Sequence, residues 1–161
     1  SKKATDFGPL ISEDEAIRVE DWVNNSGGSI LCGGNRNGVF YEATVLENVP
    51  TDANIYCKEV FGPVVTLEPF TDFKEAVAKV NNSVYGLQAG YFTKDIAHAR
   101  YAVSETETGG VVIGDIPSMR VDNMPYGGIK GSGFGREGIK WAIDEMTEPK
   151  LAVYNNNYFS I

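Results

Sequence analysis

Few residues in this chain could carry nucleophilic or metal chemistry. There are two cysteines, Cys32 and Cys57, and one histidine, His98. A reactive thiolate needs a helix N-terminus or a cationic neighbour to lower its pKa. Cys32 stands in Ser29-Ile-Leu-Cys-Gly-Gly34, at the end of a predicted strand. Cys57 stands in Tyr56-Cys-Lys-Glu59, with only Lys58 beside it in sequence. Both read as small core residues and not as nucleophiles. The cysteines lack C-x-x-C spacing and the histidine is single, which excludes a zinc site or Cys–His pair of the usual kind. His98 falls among charged residues on a predicted helix and reads as part of its solvated face.

A second pattern invites a phosphate-binding reading. Gly133-Phe-Gly135-Arg-Glu-Gly138 spells G-x-G-x-x-G. That fingerprint acts only where a strand runs into it, a helix leaves it and an acidic residue follows about 20 residues on. No strand precedes it here. Pro125 and six glycines between 127 and 138 predict an extended, turning coil. The next strand candidate, Leu151 to Tyr154, ends in asparagines, with no acid for a ribose.

The elements that would position these residues are legible in outline. Ser12-Glu-Asp-Glu15 forms a capping box, and Ala16, Val19 and Val23 then share a helical face beside Trp22. Gly27-Gly28 ends that helix. A strand over 29–32, the turn Gly33-Gly-Asn-Arg-Asn-Gly38 and a strand over 39–45 read as a hairpin. Val64 to Leu67 is a strand. Asp72 and Glu75 open a helix with Phe73, Ala76, Val77 and Val80 on one face. Gln88 to Thr93 is a strand. Asp95 to Ser104 is a helix with Ile96 and Val103 facing inward, and Gly110 to Ile113 is a strand. This β-α-β-α-β rhythm predicts a parallel sheet with right-handed crossovers. A long Gly/Pro loop follows from Gly114 to Gly135. A last helix then carries Ile139, Ala142, Ile143 and Met146 on one stripe, before a strand at Leu151 to Tyr154. The tail from Asn155 to Ile161 is expected to fray.

Composition narrows the function classes. The chain has 161 residues, 42% of them hydrophobic, which suits one globular core. The net charge is −8 with 14 unclustered basic residues, which argues against nucleic acid and anionic membranes. No apolar stretch is long enough to span a bilayer, and the N-terminus lacks the apolar core of a signal peptide. The cysteine usage points to a reducing, cytoplasmic setting. The turn Phe7-Gly-Pro-Leu10 suggests that the chain starts inside a larger fold.

Three longer strings change the reading. Met124-Pro-Tyr-Gly-Gly-Ile-Lys-Gly-Ser-Gly-Phe-Gly-Arg-Glu-Gly138 resembles the signature near the C-terminus of aldehyde dehydrogenases. Glu59-Val-Phe-Gly-Pro-Val64 is similar to that family's E-x-F-G-P-V. Asn81-Asn-Ser-Val-Tyr-Gly-Leu-Gln-Ala-Gly90 is similar to its N-x-x-x-Y-G-L-x-A-G. The order matches, and the resemblance covers essentially the whole chain. It implies an α/β fold with a parallel three-layer sheet. Residues 1–146 would be the C-terminal part of the catalytic domain, and 147–161 an oligomerisation strand and tail.

The resemblance also assigns roles. The family oxidises an aldehyde through a cysteine thiolate, with a glutamate as general base and NAD or NADP as hydride acceptor. The cysteine lies in a G-Q-x-C context and the base in an E-L-G-G-K-like context, and neither context is present here. No catalytic residue is therefore assigned to this chain, and the chain alone is expected to be inactive. Glu59 corresponds to the acid that accepts hydrogen bonds from the nicotinamide ribose, and Phe61 packs near that ribose. Leu87 matches a residue near the nicotinamide ring, or is an ordinary core leucine. Tyr126 matches the aromatic lining the substrate tunnel.

Arg120 stands where many members carry an apolar or aromatic residue. A guanidinium there would read a carboxylate, phosphate, phosphonate or hydroxyl on a small aldehyde, or else pair with Asp115 or Asp122 on a loop. The surrounding string looks most like members acting on lactaldehyde, glyceraldehyde 3-phosphate or phosphonoacetaldehyde. The resemblance also implies a homo-oligomer built through the last strand. A non-catalytic α/β module, for assembly or nucleotide binding, is the competing reading.

Overall fold

The Ser12 hydroxyl accepts the Glu15 N–H at 3.2 Å and starts the first helix, α1 (Glu13–Asn24). Three acids fill its first turn, where the helix dipole favours negative charge. The computed structural model describes residues 6–155. It divides into two compact units, Ser1–Asp72 and Phe73–Ile161.

In the first unit α1 is followed by β1 (Ser29–Cys32), β2 (Arg36–Asn37), β3 (Phe40–Tyr41), β4 (Thr44–Glu47), α2 (Asn54–Cys57) and β5 (Val64–Leu67). The sheet order is β1-β4-β5. β1 runs antiparallel to β4, with a register shift between Ile30 and Cys32. β4 runs parallel to β5, from Thr44 opposite Val64 to Glu47 opposite Leu67. Val19 and Val23 of α1 pack with Tyr41, Leu46 and Ile55 to form the core. Burial pushes the Tyr41 phenol above its ordinary pKa.

The hairpin expected from 29–32 and 39–45 is thus divided. Residues 36–41 form a small hairpin of their own, and only 44–47 pairs with β1. The break lies at Glu42 and Ala43. There the Thr44 hydroxyl donates to the Glu42 carbonyl and accepts the Gly34 N–H, each at 2.8 Å. Arg36 ties β2 to α1 through Glu20 at 2.7 Å, and that hydrogen bond holds the guanidinium above its ordinary pKa.

The second unit contains α3 (Phe73–Asn81), β6 (Tyr85–Gly86), β7 (Gln88–Tyr91), α4 (Ile96–Glu105), β8 (Gly110–Ile113), β9 (Ile129–Lys130) and α5 (Ile139–Met146). β7 and β8 are parallel, joined by the crossover helix α4, with Gln88 opposite Gly110 and Tyr91 opposite Ile113. β6 pairs antiparallel with β9. Val77, Ala89, Tyr91 and Ala102 form this unit's core. The α/β class with parallel strands is therefore present, but β5 takes β4 as its parallel neighbour.

Two expectations are corrected here. Ile96 and Val103 are 68% and 60% exposed, and the inward residue of α4 is Ala102. Ile96 and Val103 do share a face, but it is turned about 100° from that of Ala102. The small alanine joins Val77, Ala89 and Tyr91 in the core, while Phe73, Tyr101 and Val111 pack against that cluster. His98 is exposed, as expected for the solvated face of α4, and its ring also stacks on Phe73 at 4.3 Å. Residues 151–155 form neither helix nor strand, and Leu151 and Val153 are exposed. A strand exists only as part of a ladder, so apolar spacing there does not create one. The predicted tail beyond Asn155 and the N-terminal Ser1 to Thr5 lie outside the described residues. No described helix is long and apolar enough to cross a membrane.

Candidate functional site

In the first unit, the chain between α2 and β5 carries Glu59 and Phe61. Three contacts hold it to the body of the unit. Arg18 Nη2 on α1 donates to the Val60 carbonyl at 2.7 Å. Gly62 lies so close to α1 that a Cβ there would stand 3.0 Å from Val19 Cγ2. The Pro63 carbonyl accepts the Thr44 N–H at 2.8 Å and feeds the chain into β5. Arg18 is itself fixed, its Nε on Glu15 at 2.7 Å and its guanidinium 4.5 Å from the Trp22 ring.

What this anchoring displays is Glu59 and Phe61. Both are exposed, and Phe61 is 73% accessible at a backbone φ of 49°. A bulky non-glycine residue in the left-handed region is sparsely populated and costs on the order of 1–3 kcal/mol. The loop bears that strain while leaving an aromatic ring in solvent. The Glu59 carboxylate takes no hydrogen bond and no ion pair among the described residues. It is therefore an acceptor-only group with its capacity unspent.

In the second unit, Leu87 and Tyr126 line one open cleft of about 240 Å³. Leu87 lies between β6 and β7 and is half-exposed, so the core-leucine reading does not hold. Tyr126 is joined to Glu137 by an antiparallel bridge, with Tyr126 N–H to Glu137 O at 3.1 Å and Glu137 N–H to Tyr126 O at 2.6 Å. Glycines allow the surrounding backbone to close up. A Cβ at Gly109 would collide with the Gly127 carbonyl oxygen, and one at Gly127 would lie 2.7 Å from Gly135 O. Arg136 Nη1 donates to Gly128 O at 3.1 Å and fastens the turn.

Arg120 sits over Tyr126, its guanidinium carbon 4.4 Å from the ring centroid. Its Nη2 donates to Glu137 Oε2 at 2.7 Å. Neither Asp115 nor Asp122 is its partner, as the loop-pairing alternative supposed. Glu137 is 17 residues away in sequence, and the Tyr126–Glu137 bridge brings it near. Glu137 also lines the cleft, as does the fully exposed Phe134. Both were missed because Gly133 to Gly138 was read for its glycines. The one signal in sequence was an acid inside a glycine-rich string that otherwise carries arginine and lysine.

The G-x-G-x-x-G string leads into α5, and Gly138, at φ 123°, caps that helix. The strand before it, β9, is two residues long and antiparallel. That is not the strand–turn–helix setting of a dinucleotide fingerprint. Cys32 and Cys57 are both exposed, contrary to the expected core positions. Each lies at the very end of its element, β1 or α2, where little packs over it. Among the described residues no cluster of His, Cys, Asp and Glu could hold a metal ion.

Comparison with known proteins matches the model of the aldehyde dehydrogenase family to residues 1–152. The 3-sulfolactaldehyde dehydrogenase of Priestia aryabhattai is 49% identical over 94% of this chain and 32% of its own length. The lactaldehyde dehydrogenase of Methanococcus maripaludis is 46% identical over 96% of this chain and 34% of its own. Among solved structures, aldehyde dehydrogenase 21 from Physcomitrella patens, in complex with the reaction product succinate, superposes with a TM-score of 0.91. It is 52% identical and covers 96% of this chain with 33% of its own. The glyceraldehyde-3-phosphate dehydrogenase of Methanocaldococcus jannaschii, complexed with NADP, gives a TM-score of 0.81 at 43% identity over 88% of this chain and 31% of its own. The chain thus spans about a third of the length of these relatives.

Proposed function

Because this chain belongs to the aldehyde dehydrogenase family, we propose that it is the part of an NAD(P)-dependent aldehyde dehydrogenase that orients the nicotinamide ribose and reads the polar end of a small aldehyde. The complete polypeptide would oxidise that aldehyde to a carboxylic acid. The single observation that carries the reading is the 59–64 segment: an anchored loop that holds an unspent carboxylate and a strained aromatic out from the surface.

A nicotinamide cofactor, when bound, supplies the hydride acceptor. Glu59 fits the ribose that would accompany it, since an ionised carboxylate accepts hydroxyl hydrogens and forms charge-assisted bonds. Phe61 would cover those bonds from water. Leu87 would offer an apolar contact to the ring. The NADP complex of the Methanocaldococcus relative supports this assignment. The thiolate and general base would come from residues outside this chain, so the chain by itself would not turn over.

Arg120 and Tyr126 would bind the substrate. Arg120 spends Nη2 on Glu137, and its Nε and Nη1 donate to no acceptor among the described residues. A guanidinium with donors left can take a carboxylate, sulfonate or phosphate. Relatives named for sulfolactaldehyde, lactaldehyde and aspartate semialdehyde support a small aldehyde with a polar or anionic end. The exposed segment around Leu151 would pair with a neighbouring subunit in a homo-oligomer.

The test is Glu59→Gln in a complete enzyme, made by placing this chain in the corresponding third of the Priestia relative. Losing the charge on one hydrogen-bonding partner costs about 1.5 kcal/mol, so kcat should fall about tenfold. Unchanged kinetics with either NAD or NADP would remove Glu59 from the cofactor site.

A further inference from the structure

We propose that Gln88 is a positioning residue of this enzyme: its side-chain amide tethers the Met119 carbonyl and so fixes the loop that presents Arg120. The inference rests on the reading of Arg120 as the residue that meets the polar end of the aldehyde. It goes beyond that reading by naming what holds the Arg120 backbone to the body of its unit.

The chain leaving β8 turns back along β7 and meets that strand step by step. The Gly114 N–H donates to Tyr91 O at 2.8 Å. A Cβ at Gly90 would stand 2.7 Å from Asp115 O and 3.0 Å from Pro117 Cδ. Gln88 Nε2 then donates to Met119 O at 3.2 Å, the last tie to the strand before Arg120. Every residue from 113 to 123 is exposed, so burial does not hold this loop. Among the described residues, the other hydrogen bonds of residues 115–123 run between positions 115 and 124, apart from Arg120's own bond to Glu137.

The Gln88 side chain is also a poor choice for stability alone. Its Oε1 is buried and accepts no hydrogen bond among the described residues. A buried acceptor left unpaired costs about as much as one neutral hydrogen bond returns, or more. The fold nevertheless makes room for the amide. Gly110 of β8 lies opposite, where a Cβ would stand 3.0 Å from Gln88 Cγ. The motif that carries Leu87 leaves position 88 open, so it does not account for a glutamine there. What the residue contributes is the donor to Met119. A local rule broken without a gain in stability marks a residue kept for function.

The tether acts on Arg120 and not on the chemistry. The Arg120 backbone follows it directly, and the guanidinium carbon lies 4.4 Å from the Tyr126 ring centroid. Without the tether the loop has to be ordered when substrate binds, and that cost weakens binding. The cost falls on an aldehyde that uses Arg120 and spares one that does not. One neutral hydrogen bond corresponds to about twofold to tenfold in affinity.

The experiment compares 4-oxobutanoate with butanal in the complete enzyme described above. Gln88→Met keeps the stem and removes the donor. The KM for 4-oxobutanoate should rise about twofold to tenfold, with the butanal constants unchanged. In an Arg120→Ala background, Gln88→Met should have no further effect on the ratio of the two substrates. In the chain itself, the urea midpoint should stay the same or rise, because methionine removes an acceptor that had no donor. Trypsin should cut the Arg120–Val121 bond severalfold faster, with cuts in the first unit unchanged. Should Gln88→Met fail to fold, Gly110→Ala pushes the same amide from the other side and should raise the same KM. Equal loss for both aldehydes, an undiminished effect without Arg120, a lower urea midpoint, or equal acceleration of every tryptic cut would overturn the inference. If Arg120→Ala alone leaves the substrate ratio unchanged, the anion-reader reading falls, and this inference falls with it. If Arg120→Ala changes the ratio but Gln88→Met does not, only the role of Gln88 is lost.

Discussion

Gly62→Ala should destabilise the chain, and the reason is the distance between the Glu59 loop and α1. An added Cβ would stand 3.0 Å from Val19 Cγ2 and 3.3 Å from Cγ1. Val19 is fully buried and belongs to the core with Val23, Tyr41, Leu46 and Ile55. A β-branched side chain on a helix has essentially one rotamer, so Val19 cannot swing aside. Overpacking of this kind costs about 1–3 kcal/mol. The loss of glycine's freedom in the unfolded chain returns about 0.4–1 kcal/mol. The net is a loss of about 1 kcal/mol, or a melting temperature lower by about 2–4 °C in a chain of this size. Urea unfolding followed by Trp22 fluorescence reads it, since Trp22 lies on the same helix. The decisive control is Val19→Ala. With both methyl groups gone, the nearest remaining neighbour is Val60 Cγ1 at 3.6 Å, an ordinary contact. In that background Gly62→Ala should become neutral or stabilising by about 0.4–1 kcal/mol. A more stable Gly62→Ala in the parent, or the same loss in both backgrounds, would refute the packing argument.

Two further outcomes follow from burial and exposure. The Tyr41 phenol is held above its ordinary pKa of 10.0 by burial. Its contribution to stability is therefore complete below pH 10 and declines as the pH rises through its folded value, because only the unfolded chain ionises readily. The Thr44 hydroxyl lies near enough to offset part of the effect of burial, but it is committed to Glu42 O and Gly34 N–H and makes no hydrogen bond of good geometry with the Tyr41 hydroxyl. Tyr41→Phe should thus leave stability at pH 7 unchanged or slightly higher, while the loss measured by denaturant titration above pH 10 shrinks. A large loss at neutral pH would mean the hydroxyl is satisfied in solution. For the thiols, replacing Cys32 and Cys57 together by serine in the complete enzyme should leave kcat within about twofold, since neither is the family's nucleophile; abolished turnover would reverse that assignment.

Local rules in the sequence settled the local structure. Ser12 caps α1 and Asp95 caps α4 because an oxygen two or three residues ahead can reach a free N–H whatever the rest of the chain does. The 3.6-residue period put Ala16, Val19 and Val23 on one buried face for the same reason. The motif strings carried the family, and with it Glu59, Phe61, Leu87, Arg120 and Tyr126 as candidates. Tertiary structure decided whatever depends on a partner distant in sequence. Whether β1 pairs with residues 39–45 or 44–47 is a matter of register, and a side chain, Thr44, broke the tie. Which side of α4 faces inward was decided by how the helix packs on β8 and α3, so Ala102 displaced Ile96 and Val103. The left-handed φ of Phe61 follows from both ends of its loop being pinned, at Val60 by Arg18 and at Pro63 by Thr44. Arg120 could be read as an anion binder from its type alone. Its true neighbour, Glu137, became visible only when a backbone bridge to Tyr126 brought the two ends of a glycine-rich segment together, because an ion pair is set by distance in space and not by distance along the chain.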